Sequence, residues 1–282
     1  MSAFFAETNS VETVNARIAP DASPRVTEVM TALVTHLHAF VNEVRLTQQE
    51  WEFAIDFLTR AGQICSNERQ EFILLSDTLG VSMLVDAINH RRPPGATANT
   101  VMGPFYVPGA PGREMGEHIS FDGKGERCRF EGRVVDLNGE PLAGARLDVW
   151  SDNADGFYDV QQPSVQPQWN NRGVFTTGAD GRYRFTGIKP VSYPIPHDGP
   201  VGTMLSALGR GPYRPAHMHF IVTAEGFQKV VTHTFVGDDA YIARDAVFGV
   251  KETLVAPFER IDDGETVWRS AFDFVLTPVA NE

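Results

Sequence analysis

The sequence predicts an α+β protein, with a helical N-terminal domain over residues 1–100 followed by a mainly antiparallel β-sandwich over residues 101–282. Before Pro93, apolar residues recur at steps of three and four, which is typical of amphipathic helices. After Pro93, short runs rich in β-branched and aromatic residues alternate with turn residues, which is typical of a sandwich. A chain of 282 residues is long enough for two domains with a well-buried core.

The helical part carries its own start and stop signals. Ser23 before Pro24 predicts an N-cap followed by proline at the first helical position, and apolar residues then recur from Val26 to Val44. Thr47 and Glu50 have the spacing of a capping box, which predicts a second helix. The remaining signals are a similar pattern at Asn67 to Gln70, a further helix from about Val81, and a stop at Pro93-Pro94.

The second part begins with a long loop rich in Pro, Gly, Thr and Asn, residues 93–117, which we interpret as an ordered domain junction. Asn138-Gly139 is a hairpin signal at the end of the first predicted strand, and Glu225-Gly226 separates two others. The predicted strands are residues 127–136, 145–151, 182–186, 217–224, 229–236 and 267–276.

Composition narrows the classes of partner. The net charge is −12, and an acidic surface repels phosphate backbones, so nucleic-acid binding is disfavoured. We find neither a secretory signal nor an apolar run of the roughly 18 residues that a membrane span requires. The two cysteines, Cys65 and Cys128, do not make a disulfide framework. We therefore expect a cytoplasmic protein that does not enter a membrane.

Two histidines form the first candidate for a metal site. His217 and His219 lie at the start of a predicted strand, where the period of two places both side chains on one face. Tyr193 lies between prolines that limit its backbone, and Tyr158 follows a polar turn. Taken separately, these patterns are also typical of a solvent-facing histidine pair and of tyrosines that only pack, and we slightly favour that interpretation for each alone.

In combination the motifs resemble the intradiol ring-cleavage dioxygenases, the catechol 1,2-dioxygenase group. The order Tyr158, Tyr193-Pro, and Arg214-Pro-Ala-His217-Met-His219 is similar to that family's iron site, and Gly103-Pro-Phe-Tyr106 adds to the likeness. The resemblance covers nearly the whole chain. It implies one non-haem Fe(III) per subunit, held by Tyr158, Tyr193, His217 and His219. Phenolates and imidazoles without thiolate suit ferric iron.

The resemblance also implies a reaction. A deprotonated aromatic diol or triol would chelate the iron in place of Tyr193, which accepts a proton, and O2 would open the ring to a muconate. Arg214 would stabilise the negatively charged substrate. His233 stands where catechol-type members carry glutamine, and we assign it to substrate binding and not to the metal. A core histidine with a structural partner is the alternative. The other pocket residues that the resemblance implies are Leu74, Asp77, Val101, Met102, Gly103, Pro104, Phe105, Ile195, Pro196 and Val247.

Within the family, the segment VWSDNADGFYDVQQP together with Leu74 and Asp77 is most similar to hydroxyquinol (1,2,4-trihydroxybenzene) 1,2-dioxygenases. That likeness implies 3-hydroxy-cis,cis-muconate (maleylacetate) as product. Catechol or chlorocatechol is the alternative substrate. A non-catalytic β-sandwich binding module and a zinc or copper enzyme are alternatives of other classes. The resemblance further implies a homodimer through the helical domain, with a phospholipid bound at the interface.

Overall fold

A computed structural model describes residues 4–66 and 69–279. The chain divides into two compact units, Met1–Gln63 and Ile64–Glu282. The first unit is helical, and the second unit contains all of the described strands together with further helices. The predicted helix start at Asn67 lies outside the described residues.

The first unit consists of a 3-10 turn (Glu7–Asn9) and the helices α1 (Ser10–Asn15), α2 (Pro24–Val44) and α3 (Gln48–Gln63). The predicted caps are confirmed. The Val26 N–H donates to the Ser23 hydroxyl at 3.3 Å. The Thr47 N–H donates to the Glu50 carboxylate at 2.8 Å, and the Glu50 N–H donates back to the Thr47 hydroxyl at 3.3 Å. Many large apolar side chains of α2 and α3 are exposed, among them Val26, Leu33, Leu37, Phe40, Trp51 and Phe53.

The helices of the second unit are α4 (Glu71–Thr78), α5 (Val81–Asn89) and α6 (Pro200–Ala207), with 3-10 turns at Asp159–Gln161, Ile242–Arg244 and Glu252–Leu254. Its strands are β1 (Arg127–Asp136), β2 (Arg146–Trp150), β3 (Arg172–Thr176), β4 (Arg182–Ile188), β5 (Tyr193–Pro194), β6 (Tyr213–Arg214), β7 (His217–Thr223), β8 (Val230–Val236), β9 (Val255–Ala256), β10 (Phe258–Asp263), β11 (Thr266–Ala271) and β12 (Phe274–Leu276).

The strands form two main sheets that share one core. The first sheet has the order β10-β11-β1-β12, with β4 also paired to β1, and the second has the order β3-β2-β7-β8-β9. Side chains of both sheets, including Phe130, Leu147, Phe185, Phe220 and Phe274, pack in a single buried cluster. The predicted α+β sandwich is confirmed. The sheets are mixed, because β1–β11, β1–β12 and β8–β9 pair in parallel.

One local prediction holds only over a few residues, and another was wrong. A hairpin does form at Asn138-Gly139, where the Gly139 N–H donates to the Asp136 carbonyl at 3.1 Å, but its antiparallel pairing is short and is centred on Val135 and Pro141. The strands on its two sides, β1 and β2, belong to different sheets. The strand predicted over 267–276 is two strands, because its pairing with β1 is interrupted between Ala271 and Phe274 although the register is the same on both sides. In the gap, the Arg133 N–H donates to the Asp273 carboxylate at 2.8 Å.

Strand β7 joins the core to the candidate site. Met218, Phe220 and Val222 point into the core between the sheets, and His217 and His219 occupy the alternate positions. This confirms that the two imidazoles share a face. Both are buried, because loops cover that face of the sheet as well.

Candidate metal centre and substrate cavity

The two imidazoles of β7 converge through the same ring nitrogen. Nε2 of His217 lies 3.2 Å from Nε2 of His219. Nδ1 of His217 lies 2.7 Å from the Pro215 carbonyl, which can only accept, so the proton is on Nδ1 and the lone pair of Nε2 faces its neighbours. A histidine held in this way is prepared to act as a ligand through Nε2.

Two tyrosines bring their phenol oxygens to the same point. Tyr158 precedes the 3-10 turn Asp159–Gln161, and its backbone N–H donates to the Gln161 side chain at 2.9 Å. Tyr193 lies in β5, which pairs with β6 so that Tyr193 is opposite Arg214. The two phenol oxygens are 3.2 Å apart, and both side chains are buried. The tyrosines predicted from distant parts of the sequence are therefore neighbours.

The four donor atoms form a closed ring. The Tyr158 oxygen is 3.0 Å from Nε2 of His219, and the Tyr193 oxygen is 3.4 Å from Nε2 of His217. With the two other edges, every side of the ring measures 3.0–3.4 Å. Ligands about 2.0–2.1 Å from a metal ion lie about 3–3.4 Å from one another. The spacing of the donors therefore fits a single metal ion.

The electrostatics of the ring also favour a cation. Burial, and then the charge of Arg214, lower the pKa of His217 to about 3, and burial lowers the pKa of His219 as well. Both imidazoles are therefore neutral at physiological pH, as metal ligands must be. Burial raises the pKa of the Tyr158 and Tyr193 phenols, so a positive charge between them is needed before they ionise at neutral pH.

His233 lies beside the ring of donors. It faces His219 across the β7–β8 pairing, with ring centroids 4.1 Å apart. Donor nitrogens of His217, His219 and His233 all lie within 4.8 Å of one another. Nδ1 of His233 is hydrogen-bonded to the Thr100 hydroxyl, and its Nε2 has no hydrogen-bond partner among the described residues. Burial lowers its pKa, so the ring is neutral.

Arg214 is buried in direct contact with this site. Its Nη1 lies 3.3 Å from Nε2 of His217, and its Nε donates to the Asp245 carboxylate at 3.2 Å. Burial raises the pKa of the Asp245 carboxyl, but the charge and hydrogen bonds of the Arg214 guanidinium oppose this effect. The pKa of Asp245 is lowered on balance. Arg214 is therefore a fixed cation whose orientation Asp245 sets. Sequence reasoning missed Asp245, which lies 31 positions away along the chain.

A cavity of about 320 Å³ opens next to Tyr193 and Arg214. It contains the predicted pocket residues Leu74, Asp77, Val101, Gly103, Pro104, Phe105, Ile195, Pro196 and Val247. Met102 and His233 are not in its wall. Five further residues are there that we did not predict: Phe157, Gln161, Pro194, His197 and Asp198. Each lies within five positions of a predicted ligand, and that proximity was the available signal.

The fold and the site define a metal centre of two tyrosines and two histidines beside a cavity, and the family matches give the class of enzyme. Residues 101–278 match the family described as "Dioxygenase", and residues 23–97 match "Catechol dioxygenase N terminus". The chain belongs to the intradiol ring-cleavage dioxygenases. This membership confirms the predicted enzyme class and sets aside a non-catalytic binding module.

Individual proteins similar to this chain are named as dioxygenases as well. The chain is 55% identical to a hydroxyquinol 1,2-dioxygenase of Rhizobium sp. (strain MTP-10005), over 97% of this chain and 96% of the relative. It is 48% identical to a 6-chlorohydroxyquinol 1,2-dioxygenase of Cupriavidus pinatubonensis, over 96% of this chain and 97% of the relative. The crystal structure of a hydroxyquinol 1,2-dioxygenase from Pseudomonas putida DLL-E4 superimposes with a TM-score of 0.94 at 45% identity, covering 97% of this chain and 99% of that one.

None of the helices in the described parts of the chain has the length and apolar character needed to cross a bilayer.

Proposed function

We propose that this enzyme uses Fe(III) to cleave hydroxyquinol with O2, giving 3-hydroxy-cis,cis-muconate (maleylacetate). The closed ring of donor atoms from Tyr158, Tyr193, His217 and His219 carries the proposal. Two phenolates and two neutral imidazoles are hard to intermediate donors that suit ferric iron, whereas zinc sites favour histidine, cysteine and carboxylate. The names of the relatives described above support hydroxyquinol as substrate.

The iron, when bound, supplies the electron transfer that makes an aromatic diol reactive toward O2. The protein's own residues hold and orient the substrate. Tyr193 belongs both to the cavity wall and to the ring of donors, so its phenol oxygen would be placed to take a proton from a bound substrate. Arg214 places a permanent positive charge at the cavity wall, where it can stabilise the negative charge of the bound substrate.

Asp77 supports the preference for a triol. Its carboxyl lies in the cavity wall on α4, and burial raises its pKa. A carboxyl group at that position can accept a hydrogen bond from a third hydroxyl on the ring, which catechol lacks. Catechol or chlorocatechol remains the alternative substrate under this proposal.

The first experiment is the visible spectrum of the purified protein, before and after anaerobic addition of hydroxyquinol. Tyrosinate bound to Fe(III) gives a broad charge-transfer band, and direct chelation by the substrate moves that band to longer wavelength. A colourless protein whose iron content is one per subunit would contradict the two-tyrosinate site. A protein that holds zinc or copper by metal analysis would favour that alternative.

Substrate choice is tested by oxygen uptake with hydroxyquinol, catechol and chlorocatechol. In Asp77→Ala we expect the ratio of kcat/KM for hydroxyquinol to that for catechol to fall at least about tenfold, since a hydrogen bond to a charged group contributes about 1.5–3 kcal/mol. Asp198→Asn is the control, because this carboxylate lines the same cavity with its side chain 75% exposed. An unchanged ratio in Asp77→Ala would remove this role from Asp77.

We also propose a homodimer through the helical N-terminal part, with a bound phospholipid at the interface and a cytoplasmic location. The many exposed large apolar side chains of α2 and α3 support an interface, because apolar side chains exposed in a patch mark protein or lipid contacts. We propose residue 100 as the functional boundary, since the two family matches meet between residues 97 and 101. Analytical ultracentrifugation tests the homodimer, and lipid extraction tests the bound phospholipid.

A further inference from the structure

The two histidines of the proposed metal site are held in different ways. Nδ1 of His217 donates a hydrogen bond to the Pro215 carbonyl. Nδ1 of His219 is buried and has no hydrogen-bond partner among residues 4–66 and 69–279. Histidines that bind metals usually donate their second N–H to an oxygen, and that bond fixes the orientation of the ring. Something else must orient His219.

Among the described rings that lie against His219, only that of Trp150 stacks on it, whereas the His233 ring is tilted by 55°. Strand β2 pairs with β7 so that Trp150 lies directly opposite His219, which places both side chains on the same face of the sheet. The indole and imidazole rings are stacked, with centroids 4.5 Å apart and planes 12° from parallel. The indole N–H has no hydrogen-bond partner among the described residues, so Trp150 acts here through the face of its ring.

The junction loop limits His219 from another direction. Gly103 adopts a φ of +76°, and a Cβ atom at this position would lie 3.0 Å from Cε1 of His219. The imidazole is therefore confined between an indole face and a backbone segment, and it has little freedom to rotate. Trp150 itself is only 1% exposed, and its other neighbours include Tyr106 at a ring distance of 4.9 Å.

We propose that Trp150 is a positioning residue, which fixes the ring plane of His219 by stacking where a hydrogen bond to Nδ1 is lacking. This proposal rests on the proposed function, because it takes Nε2 of His219 as a metal ligand. Stacking keeps Nε2 directed at the Tyr158 oxygen and at Nε2 of His217, 3.0 and 3.2 Å away. Without stacking, the His219 imidazole can rotate about χ2, and its Nε2 then moves away from the other donor atoms.

Three variants separate this role from general packing. Trp150→Leu removes the aromatic face, whereas Trp150→Phe keeps a ring that can stack. Phe220→Leu is the matched control, because Phe220 is the next residue of β7, is 1% exposed and points into the core on the opposite face. All three are loaded with Fe(III). The measurements are the release of iron to a competing chelator, the position of the tyrosinate charge-transfer band, and the melting temperature of the metal-free protein.

We expect Trp150→Leu to release iron at least about tenfold faster than the wild type, because groups that orient a ligand typically contribute 10–100-fold to metal affinity. Its charge-transfer band should also shift. Trp150→Phe should stay within about threefold of the wild-type rate. Phe220→Leu should melt at a lower temperature, since it leaves a cavity in the core, and yet release iron at the wild-type rate.

Equal rates of iron release in Trp150→Leu and Phe220→Leu would overturn the proposal, because the loss would then reflect packing alone. Release from Trp150→Phe as fast as from Trp150→Leu would overturn stacking as the cause. A wild-type protein that binds Fe(III) with the charge-transfer band keeps the proposed function intact in either case. A wild-type protein that does not bind Fe(III) overturns the proposed function, and this proposal with it.

Discussion

Replacing Asp245 by asparagine tests how the buried cation of the site is held. The Asp245 carboxylate accepts hydrogen bonds from Nε and Nη2 of Arg214 at 3.2 and 3.4 Å. It also accepts from the backbone N–H groups of Val247 at 3.3 Å and Gly249 at 2.8 Å. All four partners are donors. An asparagine of the same shape must therefore turn its NH2 group toward a donor, and it leaves Arg214 without a counter-charge.

The expected cost follows from burial. Arg214 is 4% exposed and Asp245 is 7% exposed, so water cannot replace the lost charge. Removing one partner of a buried ion pair costs about 3–5 kcal/mol, and the remaining amide oxygen of asparagine recovers part of that, so we expect about 3 kcal/mol. The pKa of Asp245 is lowered in the fold, so its contribution to stability is present above the carboxyl's ordinary pKa and is lost only in acid. A measurement at pH 7 captures all of it.

Urea unfolding of the metal-free protein, followed by tryptophan fluorescence, gives the measurement. With a urea slope of about 3 kcal/mol/M, Asp245→Asn should lower the midpoint by about 1 M. Asp180→Asn is the control, because Asp180 pairs with Arg182 at 3.5 Å and both side chains are more than 60% exposed. An exposed pair contributes about 0–1 kcal/mol. Equal midpoints for the two variants would refute the claim that Asp245 compensates a buried charge.

Two further predictions concern the surroundings of His219. Gly103→Ala and Gly95→Ala both place a side chain at positive φ, but only at Gly103 does the new Cβ meet His219, whereas nothing lies within 4 Å at Gly95. Both variants should lose about 1–2 kcal/mol of unfolding free energy in urea. Only Gly103→Ala should also lose most of its oxygen uptake, and equal activities would contradict the contact of residue 103 with His219. His233 is neutral in the fold because burial lowers its pKa from an ordinary 6.5, so stability falls as pH drops below that value. In metal-free His233→Gln this fall between pH 6 and 4 should be shallower by up to about 1.4 kcal/mol per pH unit, and an unchanged slope would show that His233 is protonated in the fold.

The parts of the fold that the sequence predicted are those with local signals. The caps at Ser23 and Thr47 and the alternation in β7 depend on neighbours a few positions apart, and the structure confirms them. Strand β3 and helix α6 were missed. The first follows a long polar stretch, and the second has only eight residues, begins with proline and contains Gly202. Their conformations depend on pairing with β2 and on the Glu71 carboxylate that accepts from the Val201 N–H at 3.1 Å.

The hairpin expected at Asn138-Gly139 shows the limit of local reasoning. The turn forms as its sequence dictates and Val135 pairs with Pro141 across it, but β1 pairs along its length with β4, β11 and β12, and β2 joins the other sheet. Contacts such as Arg214 with Asp245 and Trp150 with His219 are of the same kind. The second depends on which strands become neighbours and in which register, and the first on where the loop after the Ile242–Arg244 turn lies. No signal near these residues specifies either contact.

Register is also what assembles the site. One row across the second sheet contains Arg172, Trp150, His219 and His233, each directly opposite the next. Arg172 is ion-paired at 2.7 Å with Asp159, the residue that follows Tyr158, so the same row also anchors a tyrosine. Because side chains alternate between faces, a slip of one residue in β7 would place a core residue where His219 lies. His219 would then no longer be opposite Trp150 and His233. The hydrophobic core that fixes the register through Met218 and Phe220 therefore determines the geometry of the metal ligands on the other face.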